Sequence, residues 1–461
     1  MFDYYIQSYN DFVASPYYEP TLVFLGYAYN VVTAFAFIWA PLWMWDVLEP
    51  MLQKLKRAEF LKKLEFTTLE IRVPRNIDKS PLAMELVLQA LHQPFKPTNR
   101  LEKITKGKVN SWFSLEMVST EGAVHFYVYT PKEYVKLITT HLYSQYPDVE
   151  VHETPDYVTK VPFGRDKEEW DLHGTEFILS KADPYPIKTY VDYGLDKLDL
   201  KEEFKIDPMT VVLEYLGSIG RGQHAWIQIM IQAHEERYEV KGQSRDWDKL
   251  IIYQDYEGFK KSKPKGRDWG KFFEGKWWEV GSEDWMKFVT NNWWTPATQD
   301  WKKEADSLIK ALKEKAGDKM SAVQRKEIEA MERSVTKNGF DVGIRALYIA
   351  RKDKYDPSNI AGLMGVLKQF SSVELNGFKD NNVTKIDKKQ KIYNDADLVK
   401  AKKKMFDKYL RRGFFYEKGK PFVLNTEELA TIFHFPGRVS ATPTFSRIES
   451  RKAEPPSNLP I

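Results

Sequence analysis

The segment Gly270-Lys271-Phe272-Phe273-Glu274-Gly275-Lys276-Trp277 comes nearest to a reactive motif in this chain. Its first seven positions match a phosphate-binding loop, in which glycines let backbone N–H groups approach the phosphates and the lysine reaches the terminal ones. The eighth position should supply a hydroxyl for Mg²⁺, which Trp277 cannot do. Phe272 and Phe273 fill the supposed cradle and no apolar strand precedes it, so the segment reads as a glycine-punctuated aromatic loop. The eight histidines (92, 125, 141, 152, 173, 224, 234, 434) show no pair at helical ligand spacing, and His234-Glu235-Glu236 lacks a second ligand. Asp166, Glu168, Glu169 and Asp171 are clustered acids in a polar loop with nothing to desolvate them. Gly217-Ser218-Ile219-Gly220-Arg221-Gly222 reads either as a small anion nest or as the turn between a helix and a strand. With no cysteine, disulfides, Cys-based zinc sites and thiol nucleophiles are excluded. No nucleophile, base and orienting group can be assembled, so the expectation is a non-enzymatic chain with no cofactor and no metal.

The other chemistry on offer is charge. The whole chain carries only +4, yet residues 384–412 hold eleven Lys/Arg against four Asp, an excess larger than the chain total. Lys400, Lys402, Lys403, Lys404, Lys408, Arg411 and Arg412 are candidates for phosphate contact, with Phe406, Tyr409, Phe414 and Phe415 available for stacking on bases. The same cations suit an anionic inner leaflet if the domain is held near one. The plain alternative is a solvated amphipathic helix whose inner face is Leu398, Ala401, Met405 and Leu410.

What would hold these groups in place begins with a charge-free apolar run, TLVFLGYAYNVVTAFAFIWAPLWMW, over residues 21–45. At ~1.5 Å per helical residue its 25 residues are long enough to cross a ~30 Å hydrocarbon core. Lys54, Lys56, Arg57, Lys62 and Lys63 follow it, whereas residues 1–20 hold Asp3, Asp11 and Glu19 and no Lys or Arg. That asymmetry predicts a single span with the N-terminus outside and the remainder cytoplasmic. Trp39, Trp43 and Trp45 with Lys54, Lys56 and Arg57 form the expected membrane anchor.

Beyond the run, 43% hydrophobic and 14% aromatic residues argue for packed cores. The order of signals is strand 66–73, helix opened by Ser80-Pro81, hairpin strands around Phe113–Met117 and Val124–Val128, helix opened by Thr130-Pro131-Lys132-Glu133 as a capping box, and a closing strand at Val149 and Val151. A second round gives strand 175–180, a helix from Asp207-Pro208 to Gly217, strand 225–231, a long insertion, strand 340–350 and a helix from Asp356-Pro357 to Phe370. The expected class is therefore α+β, one transmembrane helix followed by two ferredoxin-like βαββαβ units. The insertion is crowded with Trp247, Trp269, Trp277, Trp278, Trp285, Trp293, Trp294 and Trp301 and ends in two charged helices near 301–315 and 322–337. It reads as a packed subdomain or a protein contact. The expected divisions are an extracytoplasmic N-terminus (1–20), the span (21–45), a basic juxtamembrane segment (46–63), unit one (64–155), unit two (172–380) with its insertion at about 239–338, a basic helical segment (381–436) and a Pro/Ser-rich tail (437–461). Asn425 with Glu428 three residues on marks a short capped helix in the basic segment.

Several strings carry a likeness to a known family: Leu69-Glu70-Ile71-Arg72-Val73-Pro74-Arg75 with Lys79-Ser80-Pro81-Leu82-Ala83, Glu176 to Ser180, Ala182-Asp183-Pro184-Tyr185-Pro186-Ile187-Lys188-Thr189-Tyr190, Ala225-Trp226-Ile227-Gln228-Ile229, and Leu424-Asn425-Thr426-Glu427-Glu428-Leu429-Ala430-Thr431-Ile432-Phe433-His434-Phe435-Pro436. From about Leu64 to Ile461 the chain resembles the membrane-anchored N-terminal region, a domain of unknown function, of type IV secretion or conjugative DNA-transfer coupling ATPases of candidate-phyla bacteria. In that family the region is often preceded by a membrane helix and followed by a RecA-like motor. Here the sequence reaches Ile461 before any Walker A loop. The resemblance therefore implies a non-catalytic inner-membrane scaffold or adaptor that tethers a separate P-loop ATPase or other secretion-system subunits, in a homo-oligomer because the related motors form rings. The alternative is a membrane-tethered nucleic-acid-binding module, its partner DNA, using residues 385–412.

Overall fold

The computed structural model describes residues 13, 18–34, 36–74, 77, 79–93, 106–107, 109–163, 169–197, 206–234, 301–316, 320–381, 384, 395–415 and 421–437. The P-loop-like segment, seven of the eight insertion tryptophans, Asp166, Glu168 and the tail after Gly437 lie outside them. The chain divides into two compact units, Met1–Leu64 with Lys96–Val109, and Glu65–Phe95 with Asn110–Ile461.

In the first unit the described residues of the apolar run are helical, in α1 (Tyr18–Ala34) and α2 (Ala36–Lys63), with residue 35 outside the described residues. Among the described residues no helix is long and apolar enough to cross a membrane. Helix α1 has 17 residues, or ~25 Å, and α2 runs on into Asp46, Glu49 and the basic segment. Trp39 and Trp43 lie on the backbone of α2, and the Trp45, Lys54 and Lys56 side chains on it are exposed.

The second unit combines helices with an antiparallel sheet. Its first half runs β1 (Phe66–Arg72), α3 (Pro81–Leu91), β2 (Trp112–Thr120), β3 (Ala123–Pro131), α4 (Val135–Gln145), β4 (Glu150–Thr154). Its second half runs β5 (Trp170–Leu179), α5 (Met209–Gly217), β6 (Gln223–Ala233), then α6 (Trp301–Ala316) and α7 (Ala322–Val335) from the insertion, β7 (Gly339–Arg351), α8 (Ser358–Gly365) and β8 (Phe378–Asn381). Helix α9 (Asp395–Arg411), strand β9 (Phe422–Asn425) and helix α10 (Thr426–Ile432) follow.

The strands form one sheet in the order β4-β1-β3-β2-β6-β7-β5-β8, with β9 paired to β7. Each half reads, from its outer edge, fourth, first, third, second strand. The halves meet through their second strands, β2 and β6, antiparallel from Trp112↔Gln232 to Thr120↔His224 with Glu116↔Gln228 at the middle. A repeat inferred from element order alone thus closes into one continuous sheet.

Alternation assigns the strand faces. Phe113, Leu115 and Met117 join Phe126, Val128, Ile227, Ile229, Ile344 and Ala346 in a core roofed by α3, α4, α5 and α10. The opposite face carries Val118, Tyr127, Trp226, Leu347 and Ile349, and it is also covered: Met405, Phe406 and Tyr409 of α9 and the turn holding Tyr157 and Val158 pack on it. Hence β2 and β6 are buried on both faces, although β2 alternates like a half-exposed strand.

The helix starts sort by local chemistry. Ser80 caps α3 by accepting the Leu82 N–H, with Pro81 in the first turn. Asp207 and Asp356 each accept the N–H two residues on, at Met209 and Ser358. The expected capping box at Thr130–Glu133 does not form: Thr130 and Pro131 belong to β3, paired with Thr67 and Phe66, and a short 3₁₀ turn intervenes before α4. The helix expected to reach Phe370 stops at Gly365. Asn425 and Glu428 do form a reciprocal capping box. Trp301 is buried, its ring set against Gly339, where an added Cβ would lie 2.8 Å from its Nε1.

Candidate functional site

The seven cations named as candidates for phosphate contact separate into two groups. Lys400, Lys404 and Arg411 are exposed and Lys403 is half-buried. Lys402 is ion-paired to Asp171, and Lys408 to Glu176 at 3.3 Å. Arg412 is fully buried and leaves the candidate surface, because it turns inward to Glu116 and Asp156. The aromatics proposed for stacking are likewise inside: Phe406, Tyr409 and Phe414 are buried, and Phe415 is half-buried. Leu410, expected on the inner face, points out, and the inner face is Met405, Phe406 and Tyr409.

What α9 covers is a polar network at the junction of the two halves. Glu116 has no exposed surface and accepts from Ser114 Oγ (2.7 Å), Tyr157 OH (2.8 Å), Gln228 Nε2 (3.0 Å) and Arg412 Nε and Nη2 (3.0 and 3.1 Å). Arg412 also donates to both oxygens of Asp156 and lies 4.3 Å from the centroid of the Tyr129 ring. To reach them it takes a left-handed φ of +50° just past the end of α9, a conformation ordinarily left to glycine or asparagine. On the other side Gln228 accepts from Arg345 Nη1 at 3.2 Å, and Arg345 pairs with Glu176 at 2.9 Å. Three carboxylates, Asp156, Glu116 and Glu176, face three cations, Arg412, Arg345 and Lys408. Burial works against the Arg412 charge, yet Glu116 and Asp156 hold its pKa well above the ordinary value. Burial pushes Glu176 up while Arg345 and Lys408 pull harder, leaving it below the ordinary carboxylate value. Tyr157 and Tyr409, 2.7 Å apart, are driven well up by burial and stay protonated. Such a network fixes α9 over the seam and leaves its acids and bases paired with one another.

The family-like strings form a second interlock on the opposite face of the sheet. Glu428 accepts the backbone N–H groups of Ile187 (2.8 Å) and Asn425 (2.9 Å), and Asp183 accepts that of Val423 (3.2 Å). Thr189 Oγ1 donates to Glu427 at 2.6 Å and Tyr190 N–H to Thr431 Oγ1 at 2.9 Å. Lys337 bridges Glu427 (2.9 Å) and Glu85 (2.7 Å), and Tyr190 OH donates to Glu85 at 2.7 Å. Burial raises Glu428 to about 8 and Asp183 to about 7. The strings at 182–190 and 424–436 are therefore two sides of one joint.

The glycine-rich turn at 217–222 is a third joint. The Gly222 N–H donates to the Glu121 carboxylate at 2.9 Å, so the anion held there is the chain's own. Beside it a shallow cavity of about 350 Å³ is lined by Glu121, Trp170, Arg221, Gly222, Arg351, Asp353 and Lys354. His224 stacks on Trp170 with centroids 5.6 Å apart, and burial lowers its pKa. Among the described residues no three His, Asp or Glu come together to hold a metal ion.

Of these arrangements, the clustered cations of α9 and the Asn425 cap were visible in the sequence. The ion pairs of Glu116, Arg345 and Arg412 were not, since they join positions more than a hundred residues apart.

A family model described as a domain of unknown function (DUF8128) matches residues 51–447, most of the chain. The match begins after the apolar run. No curated protein matches the chain.

Proposed function

The chain belongs to the DUF8128 family, and we propose that it is a single-pass inner-membrane scaffold whose cytoplasmic part organises a separate P-loop motor of a type IV secretion or conjugative DNA-transfer machine. The observation that carries the reading is the exposure of large apolar side chains along α1 and the start of α2: Tyr27 is 70% exposed, Tyr29 69% and Met44 55%. Water is a poor neighbour for such a surface and a bilayer is a good one. Basic residues on one flank alone orient the N-terminus outside. The two βαββαβ halves are read here as ferredoxin-like units fused edge to edge. Their buried ionisable groups are engaged in joints, which suits a rigid platform. Homo-oligomerisation and the motor partner rest on the family resemblance of the 182–190 and 424–436 strings.

The test is purification of the tagged protein from native membranes in mild detergent, with mass spectrometry of what stays bound. A P-loop ATPase in a defined ratio supports the scaffold. Its absence from the purified material, while the extract still contains it, removes the main support. A reporter fused after Ile461 that proves extracytoplasmic overturns the topology.

A second reading rests on one observation. Lys400, Lys404 and Arg411 share the outer face of α9 with Lys403 beside them, a row able to follow a phosphate backbone. Asp407 interrupts that row, so the scaffold is placed first.

A further inference from the structure

Helix α2 is continuous from Ala36 to Lys63, 28 residues or ~42 Å. Its two sides differ beyond Trp45. On one side Glu49 is 4% exposed and accepts from Gln53 Nε2 at 3.2 Å, and Gly107 presses against the backbone at Lys56 and Arg57, where a Cβ would come within 2.3 Å. On the other side Met44, Leu48, Met51 and Leu55 are all exposed, followed by exposed Ala58. Their spacing is four, three, four, three, the a/d repeat of a two-stranded coiled coil.

We propose that this stripe is the contact between two parallel copies of the chain. With Leu48 and Leu55 at a and Met51 and Ala58 at d, Lys54 falls at g and Glu59 at the e position five residues later. That is the spacing at which g of one parallel helix meets e of its partner, so the charges are self-complementary across a symmetric pair. Lys54 and Glu59 are both exposed in the single chain. The parallel direction rests on the membrane reading, because copies entering the cytoplasm from the same bilayer must run side by side. The same reading disfavours a lipid surface as the occupant. Leu55 lies ten residues past Trp45 on an unbroken helix, ~15 Å beyond the end of the apolar run. Two heptads are marginal alone in water, and co-anchoring in one membrane supplies the effective concentration they need.

The absence of cysteine makes the test direct. Leu48→Cys, Met51→Cys, Leu55→Cys and, as the off-seam control, Gln53→Cys are expressed singly in the full chain and oxidised in native membranes. The expected result is disulfide dimer at 48, 51 and 55 and several-fold less at 53. Lys54→Glu should lower dimer formation at 51, and adding Glu59→Lys should restore it. No dimer at the three seam positions, or equal dimer at Gln53→Cys, overturns the proposal. The same membranes are washed with alkaline carbonate. Protein that stays in the pellet without seam cross-links refutes the pairing and leaves the tether standing. Protein that washes out yet cross-links on the seam refutes the tether and keeps the pairing. Loss of both refutes both.

Discussion

Glu116 and Gln228 face each other at the centre of the line where two four-stranded halves become one sheet, and the Gln228 side chain donates to the Glu116 carboxylate at 3.0 Å. Neither residue belongs to the half that the other completes. A carboxylate at this position, shut off from water, is tolerable only because Arg412, Tyr157 and Ser114 also reach it. The seam and the helix covering it therefore stand together.

Removing one partner should show this. Arg412→Met leaves the buried Glu116 and the half-buried Asp156 without their cation, and the expected loss is about 3–5 kcal/mol, the usual range for breaking a buried pair from one side. Chemical denaturation of the detergent-solubilised chain measures it. Adding Glu116→Gln to Arg412→Met should recover part of the loss, since the orphaned charge is gone. Equal stability of Arg412→Met and the parent would refute the account of the seam.

The interlock at Glu428 and Asp183 makes stability depend on pH. Both folded pKa values lie above those of the unfolded chain, at about 8 and about 7, because burial disfavours the charged form. The stabilisation is complete below the unfolded values, 4.5 for Glu428 and 3.8 for Asp183, and is lost as pH climbs through the folded values. Melting temperature should accordingly fall between pH 5 and pH 9, and Glu428→Gln should flatten the upper part of that fall. A melting temperature that rises across this window in the parent but not in Glu428→Gln would show the opposite linkage.

The turn between β2 and β3 offers a steric test. Gly122 has φ +90° and an added Cβ would sit 2.8 Å from the Ile219 carbonyl oxygen. Gly122→Ala should destabilise by about 1–3 kcal/mol through strain and displacement of the neighbouring turn. Gly220→Ala, whose Cβ meets only the Gln223 side-chain end at 3.8 Å, should be nearly neutral. Thermal melts of the two variants side by side decide the point.

Nucleic-acid binding makes its own demand. If the outer row of α9 contacts phosphates, replacing Lys400, Lys404 and Arg411 by Ala should weaken binding to DNA of any sequence. It should also reduce the slope of log affinity against log salt by about three, near one per lost contact. Affinity and slope unchanged by the triple substitution would leave the scaffold reading alone.

Much of this protein is local and was readable in the residues themselves. Alternation in Phe113–Met117 and Val124–Val128, the Ser80-Pro81 helix start and the Asn425–Glu428 capping box each involve neighbours a few positions apart, and each stands in the structure. Thr130-Pro131 reads as a helix cap by the same logic and is strand, because pairing with β1 outweighs a capping preference of about 1 kcal/mol. The sequence alone determined the order of most elements, though not strands β8 and β9, together with the apolar run with its one-sided basic flank and the dense charge of α9. Only the tertiary structure decided that the halves join through β2 and β6, that α9 and the Tyr157 turn bury the polar face of those strands, and that Arg412 faces inward to Glu116, 296 positions away. A cation reads the same in sequence whether water or a carboxylate awaits it. The difference is made by the solvation lost when distant segments close over the same site.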